Sequence, residues 1–408
     1  MGPLAGIRIL DLSRVLAGPW VGQTLADLGA EVIKVENPDG GDDTRAWGPP
    51  FVEGTDESAY FLSANRGKKS IAIDFRSTEG QQLIRRLAAK SDAVIENFKV
   101  GGLASYGLDY ASLRQENPAL VYCSITGFGQ DGPYARRPGY DFMIQGLGGL
   151  MSITGVEERP TKVGVAVADL FTGMYSACAV VAALLHSRQT GQGQHLDMAL
   201  LDCQVAMLAN QAANYLVSGR APVPMGNAHP NIVPYQAFAS ANGHFILAVG
   251  NDAQFSRFCA VAGRPEWAED SRFASNRARV ANRVVLAEAI EALTRLRSSE
   301  AWIADLEAVQ VPCGPINDLA AVFADPQVVH RGLAFDMPHG SGTTVPQVAS
   351  PMRFSATPVE YRQPPPLLGQ HSREVLRDLL GCDEAAIGDL ITRGIVADTN
   401  RDPGSSSP

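Results

Sequence analysis

The strongest constraint on this chain is a rhythm near its start. Short apolar runs of strand length recur, separated by stretches with helical spacing or turn residues. Ile7-Arg-Ile-Leu-Asp11 reads as a first buried strand, and residues 23–29 as a short helix that ends on glycine. Glu31-Val-Ile-Lys-Val-Glu36 reads as a second strand and Lys69-Ser-Ile-Ala-Ile-Asp74 as a third. Residues 79–90 carry apolar positions at helical period. Ala93-Val-Ile-Glu96 and Leu120-Val-Tyr-Cys-Ser-Ile125 read as the fourth and fifth strands. Strands joined through helices pair in parallel, because the crossover carries the chain back to the edge where the previous strand began. A parallel sheet is covered on both faces, so its strands are apolar on both sides. The fold class is therefore α/β, and a ligand is expected outside the carboxyl ends of the strands.

Farther on, residues 164–188 read as a long buried helix starting near Asp169, and Thr190-Gly-Gln-Gly-Gln194 ends it. Residues 200–216 read as another helix. At 408 residues the chain is too long for one ordinary core, which suggests two or three domains. A first block, residues 1–220, is followed by a Pro/Gly-rich linker at 221–234. Residues 243–249 then read as a strand, and 254–262 and 283–296 as helices. A smaller domain over 235–325 follows from them, with a turn-rich junction at 309–316. Residues 326–400 hold a second linker and a last helix at 372–380. The polar tail 401–408 is expected to be disordered.

Composition removes several classes of function. The net charge of −9 disfavours nucleic acid and anionic membranes as partners. An anionic ligand must then be held by a local basic cluster. Candidates are Asn65-Arg-Gly-Lys-Lys69, Arg76, Lys99 and Arg136-Arg137, and each also has a plain reading as solvated surface charge. The six cysteines form no CxxC pair, and the seven histidines no metal-binding spacing. Reduced thiols, a cytoplasmic location and no metal are expected. The opening residues do not resemble a signal peptide, and no run of about 18 uncharged apolar residues predicts a membrane span.

Generic catalytic motifs are missing. No P-loop, GxSxG or GxGxxG follows the first strand. Val15-Leu-Ala-Gly-Pro19 is by itself only a strand-to-helix turn. Asp169 stands between Val163-Gly-Val-Ala-Val-Ala168 and Leu170-Phe-Thr-Gly-Met174. A carboxylate there can cap the helix by accepting backbone N–H bonds. It can equally be a partly desolvated nucleophile kept ionised by the helix N-terminus. The residues alone leave both open.

Several ordered motifs resemble the class III CoA-transferases of the formyl-CoA transferase type. They are Asp11-Leu-Ser-Arg-Val-Leu-Ala-Gly-Pro19, Gly29-Ala-Glu-Val-Ile-Lys-Val-Glu36, Gly41-Asp-Asp-Thr-Arg45, Asn65-Arg-Gly-Lys-Lys-Ser-Ile71, Glu96-Asn-Phe98 and Gly127-Phe-Gly-Gln-Asp-Gly-Pro133, together with Asp169 in its apolar frame. The likeness runs from about residue 3 to about residue 395. His229-Pro-Asn-Ile-Val-Pro-Tyr-Gln-Ala-Phe238, Val249-Gly-Asn-Asp-Ala-Gln-Phe255 and Pro364-Pro-Pro-Leu-Leu-Gly-Gln-His371 resemble the succinyl-CoA:glutarate branch of that family. The resemblance implies a large Rossmann-like parallel-sheet domain built from both chain ends, a smaller α/β domain and an interlocked homodimer. It implies an acyl-CoA and a carboxylic, here dicarboxylic, acid as substrates, with no cofactor beyond coenzyme A as co-substrate.

Carried over position by position, the family nucleophile is Asp169. The coenzyme contacts fall on Leu16, Ala17, Ile73, Arg76, Asn97, Phe98, Lys99, Arg137 and Tyr140. Substrate and loop positions fall on Gly250 and Asn251, and Arg45, Arg136 and His229 are candidates for a distal carboxylate. There are departures: two basic residues on the adenine side are Asn37 and Ser105 here, a first-turn glutamine is Leu16, and a four-glycine loop is reduced to Gly250-Asn251. They weigh against formyl-CoA and oxalate as the substrate pair. The implied mechanism is acyl exchange through an aspartyl anhydride and an aspartyl-CoA thioester, with the backbone around Ala17 near the oxyanion. A 2-methylacyl-CoA racemase of the same fold is the rival, but its histidine position is Tyr140, a poor base at neutral pH. A non-catalytic CoA-binding protein is the rival from another class, and an intact Asp169 argues against it.

Overall fold

A computed structural model describes residues 1–157 and 159–399, so the tail at 401–408 lies outside the described residues. The chain forms two compact units. The first takes Met1–Leu150, Val163–Leu216 and the chain from Gln327 onward, and the second takes Met151–Lys162 and Val217–Pro326.

The first unit is built on a mixed seven-stranded sheet in which parallel pairing dominates. Strands β1 (Arg8–Asp11), β2 (Glu31–Glu36), β3 (Lys68–Ile73), β4 (Ala93–Glu96) and β5 (Val121–Thr126) match the rhythm of the sequence. They pair in parallel in the order 3-2-1-4-5. Chain progression reverses between β1 and β4, and at such a switch point the loops after the two strands diverge and leave a crevice. Two edge strands escape the sequence reading. His195–Ala199 extends the sheet beside β5 in parallel, and Val396–Ala397 pairs antiparallel with β3. The two-residue strand carries too little periodicity to be seen, yet it brings the C-terminal end of the chain into the sheet.

Alternation along each strand divides the core into two apolar layers. Leu10, Ile33, Ile71, Val94 and Tyr122 face a layer completed by Leu83, Leu87, Val375 and Leu376. Ile9, Val32, Ala93, Val121 and Cys123 face a layer completed by Val21, Leu25, Ala177 and Val180. Helix α1 spans Ala17–Asp27 rather than residues 23–29. Pro19 falls in its first turn, where a missing N–H leaves no bond unmade.

The helix Val167–Thr190 is long and apolar enough, by length and composition, to cross a membrane. Its glycine, serine and threonine positions hid this from a search for unbroken apolar residues. In the fold one stripe of it, Ala168, Thr172, Gly173, Ser176, Ala177 and Val180, is buried within its own unit, and Phe171, Met174, Tyr175 and Leu185 stay exposed. The helix expected over 200–216 is two helices, Leu200–Met207 and Ala209–Ser218, broken where Ala209 takes φ +45°.

The second unit folds around a three-stranded antiparallel sheet of Tyr235–Ala239, His244–Ala248 and Cys313–Pro315. The last strand occupies the segment read as a turn-rich junction. Phe238, Phe245, Phe255, Phe258, Leu286 and Trp302 make its core.

Candidate active site

A cleft of about 870 Å³ opens at the carboxyl ends of β1, β4 and β5, where the switch point predicts one. Its walls are the loops that leave these strands. Arg14 to Ala17 come from β1, Asn97 to Val100 from β4, and Ile125 to Gly127 with Ala135 to Tyr140 from β5. Asp169 and Leu200 complete it.

Glycine makes two of these approaches possible. A Cβ on Gly139 would lie 2.4 Å from the Gly127 Cα, so the two backbones cross at van der Waals limit and turn residues 135–140 back over β5. A Cβ on Gly173 would sit 3.0 Å from the Ala17 carbonyl oxygen, so α1 lies close against the long helix one turn beyond Asp169.

Asp169 is the third residue of the long helix, not its cap. Ala166 occupies the cap without a side-chain bond, and no strand runs directly into it. The capping role falls to Asp141, whose Oδ1 accepts the Ala168 N–H at 2.8 Å. Gln145 Nε2 donates to Asp141 Oδ2 at 2.8 Å, and Gln145 Oε1 accepts the Val163 N–H at 2.9 Å. Asp169 is thus released from backbone duty, and its half-buried carboxyl accepts no hydrogen bond from the described residues. Burial, with the Asp141 charge adding to it, pushes this carboxyl up to about 7. Its place in the first turn of a helix acts the other way and favours the anion. The result is a basic, weakly solvated carboxylate beside an open cleft.

The basic residues divide sharply. Arg66 pairs with Asp27, Lys68 with Asp11, and Lys69 with Glu31 and Glu374, so the cluster at 65–69 is committed to the fold. Lys99, Arg136 and Arg137 line the cleft and have no ion-pair partner among the described residues. Arg137 lies 3.9 Å over the Tyr134 ring, which leaves its edge free to donate. A cleft with three unpaired cations and one carboxylate suits a polyanionic ligand.

The structure brings Leu16, Ala17, Asn97, Phe98, Lys99, Arg136, Arg137, Tyr140 and Asp169 to this cleft. Three other predicted residues lie elsewhere in the first unit. Ile73 is fully buried in the apolar core, because it points inward from a central strand. Arg76 is on the surface and pairs with Asp74 at 2.8 Å. Arg45 is locked against Glu36 at 2.8 Å with its guanidinium 3.7 Å over Phe61, so it is a structural ion pair. In the second unit, His229 Nδ1 accepts the Asn231 N–H. Asn251 there caps the helix Asp252–Val261, and the Gly250 N–H donates to Gln254. Asn97 lines the cleft, but its amide is engaged with the Arg14 backbone at both ends.

Asp141 is the residue that sequence reasoning missed. It was visible only as the neighbour of Tyr140, since nothing local marks a carboxylate that caps a helix begun some 25 residues later. Glu96 was likewise only part of a motif. It is buried, its carboxyl accepts the Phe98 N–H at 2.7 Å, and burial pushes it up to about 7. A second recess of about 1060 Å³ adjoins the cleft, shares Arg14 and Phe98 with it, and is lined by Asn37, Asp39, Trp47 and Phe75.

The switch-point cleft, with its half-buried carboxylate and unpaired cations, suits a polyanionic ligand, and residues 4–372 match the model of CoA-transferase family III. The chain belongs to that family and is a CoA-transferase. A succinate–glutarate CoA-transferase from Agrobacterium fabrum is 56% identical over 382 residues, which cover 92% of this chain and 96% of the relative. The human succinyl-CoA:glutarate CoA-transferase is 44% identical over 395 residues, covering 97% and 90%. A CAIB/BAIF family protein from Brucella suis, known by crystal structure, aligns with a TM-score of 0.82 at 54% identity, covering 93% of this chain and 99% of that one.

Proposed function

We propose that the protein moves coenzyme A from succinyl-CoA to a dicarboxylic acid such as glutarate, with Asp169 as covalent nucleophile. The observation that carries this reading is Asp169 itself, an unpartnered half-buried carboxyl on the wall of a cleft with three unpaired cations. The relatives whose names pair succinyl-CoA or succinate with glutarate support the choice of acids.

The Asp169 carboxylate attacks the thioester carbonyl, and the C–S bond breaks to leave a mixed anhydride and coenzyme A thiolate. The thiolate attacks the aspartyl carbonyl of the anhydride. This forms an aspartyl-CoA thioester and releases succinate. The acceptor carboxylate attacks that thioester, giving a second anhydride and thiolate. Attack of the thiolate on the acceptor's carbonyl yields the new acyl-CoA and frees Asp169. Each nucleophile is an anion, so no step waits on a general base. The open backbone N–H groups at the start of α1, around Ala17, are suited to the oxyanions. Lys99 and Arg137 hold the coenzyme's phosphates, the recess beside Phe75 and Phe98 takes its adenine, and Arg136 is the cation left for a distal carboxylate.

The working form is a homodimer. The helices Asp141–Leu147 and Val167–Thr190 of the first unit expose Phe142, Leu147, Phe171, Met174, Tyr175 and Leu185, and exposed large apolar side chains in such number mark protein interfaces. A second copy of the chain is the partner proposed for it. Six free cysteines accord with a reducing cytoplasm.

The test is exchange between succinyl-CoA and a panel of dicarboxylates. Asp169→Ala should abolish it, and hydroxylamine should trap Asp169 and no other residue in the wild type. Full exchange by the alanine variant would overturn the mechanism, and an acceptor panel in which dicarboxylates fail would overturn the substrate class.

A further inference from the structure

The loop between β1 and α1 contains a residue in an unfavourable conformation. Val15 has φ +71°, in the left-handed region where a β-branched side chain collides with its own backbone. It lines the cleft, and Leu16 and Ala17 follow directly. A residue persists in this region only where its surroundings over-determine it.

The surroundings here are identifiable. The Asp42 carboxylate accepts the Val15 N–H with both oxygens, each at 3.2 Å. Lys34, on β2, pairs with Asp42 at 2.9 Å, and both side chains are essentially inaccessible, at 1% and 0% exposure. The same ammonium donates to the Ser13 carbonyl at 2.7 Å. Between these two holds, Asn97 accepts the Arg14 N–H at 2.9 Å and donates to the Arg14 carbonyl at 2.6 Å. Every residue from Ser13 to Val15 is therefore gripped. Asp42 is fixed in turn by donation from the Thr44 N–H and hydroxyl, at 3.0 and 2.8 Å. Burial opposes ionisation of Asp42, but the Lys34 charge and these donors outweigh it and hold the carboxyl down at about 2.

We propose that Asp42 and Lys34 are positioning residues for CoA transfer, forcing Val15 into the left-handed conformation that aims Leu16 and Ala17 at the cleft. The pair touches no reacting atom. It explains why Gly41-Asp-Asp-Thr-Arg45 stands beside the first turn: Asp42 clamps the loop, and Arg45 anchors the segment through Glu36. A strong buried pair is suited to this task, because two charges out of water tolerate no slack in their geometry. The inference rests on the reading that this cleft is where transfer occurs.

Lys34→Met with Asp42→Ala removes both charges and leaves no lone buried ion. The exchange rate kcat should fall about tenfold or more, while KM for succinyl-CoA changes by less than about threefold. Adding Val15→Gly should restore kcat to within about threefold of wild type, because glycine adopts this φ without a clamp. If the double variant does not fold, Asp42→Ala with and without Val15→Gly takes its place under the same criteria. An unchanged kcat without the pair, or a glycine variant as slow as its parent, overturns the proposal. Both outcomes are separable from the Asp169 reading, which fails only if Asp169→Ala retains exchange.

Discussion

Removing the proposed nucleophile should make the free protein more stable, and the gain should depend on pH. The Asp169 carboxyl lies at about 7 in the folded chain against 3.8 ordinarily, because burial and Asp141 disfavour its anion. The folded state therefore holds the proton more tightly than the unfolded chain does. Its stability contribution is fully present below pH 3.8 and is lost as pH rises to about 7. Three pH units at about 1.36 kcal/mol each set a ceiling near 4 kcal/mol. Asp169 borders an open cleft, where solvent screens part of that penalty, so about 1–2 kcal/mol is the realistic size. Asp169→Asn removes the charge and keeps the shape. Its melting temperature should exceed that of wild type by about 1–3 °C at pH 8. The gap should shrink steadily towards pH 4.5. Differential scanning fluorimetry without ligand, repeated across that range, reads it directly. A gap that stays constant with pH, or a wild type more stable at pH 8, would refute the assignment of a strained anion to this position. Such a penalty is expected where binding and chemistry, rather than stability, set the residue.

Three further outcomes follow from the same geometry. For exchange catalysed by the wild type, kcat/KM should decline about tenfold per pH unit below about 7, as the nucleophile protonates. Asp141→Asn should move that acidic limb down by up to about one pH unit, since a neighbouring negative charge is removed while an acceptor for the Ala168 N–H remains; a limb that does not move would show that Asp141 is electrostatically irrelevant. Gly139→Ala must shift the loop that carries Arg136, Arg137 and Tyr140, because its Cβ would meet Gly127 at 2.4 Å. Steady-state kinetics should show KM for succinyl-CoA raised about tenfold or more, and an unchanged KM in a folded variant would remove the loop from coenzyme binding.

Short apolar runs made the five central strands legible with errors of one residue, because neighbours in sequence decide whether a strand has one buried face or two. The parallel sheet and the place of a ligand at its carboxyl edge followed from that pattern. The edge strands, the break at Ala209 and the helix start at Ala17 did not, since each depends on partners that the local pattern cannot name. Family motifs singled out Asp169, but the residues alone left a helix cap and a nucleophile both open; only in the fold does Asp141 take the capping bond and leave Asp169 unpartnered. The basic residues make the same point. Arg45, Arg66, Lys68 and Lys99 look alike in the sequence. Tertiary contacts bury the first three against Glu36, Asp27 and Asp11 and leave Lys99 open beside the cleft. Whether a charge holds the fold or awaits a ligand depends on whether an opposite charge lies within about 4 Å, and that distance is set by chain crossings, which the sequence does not display.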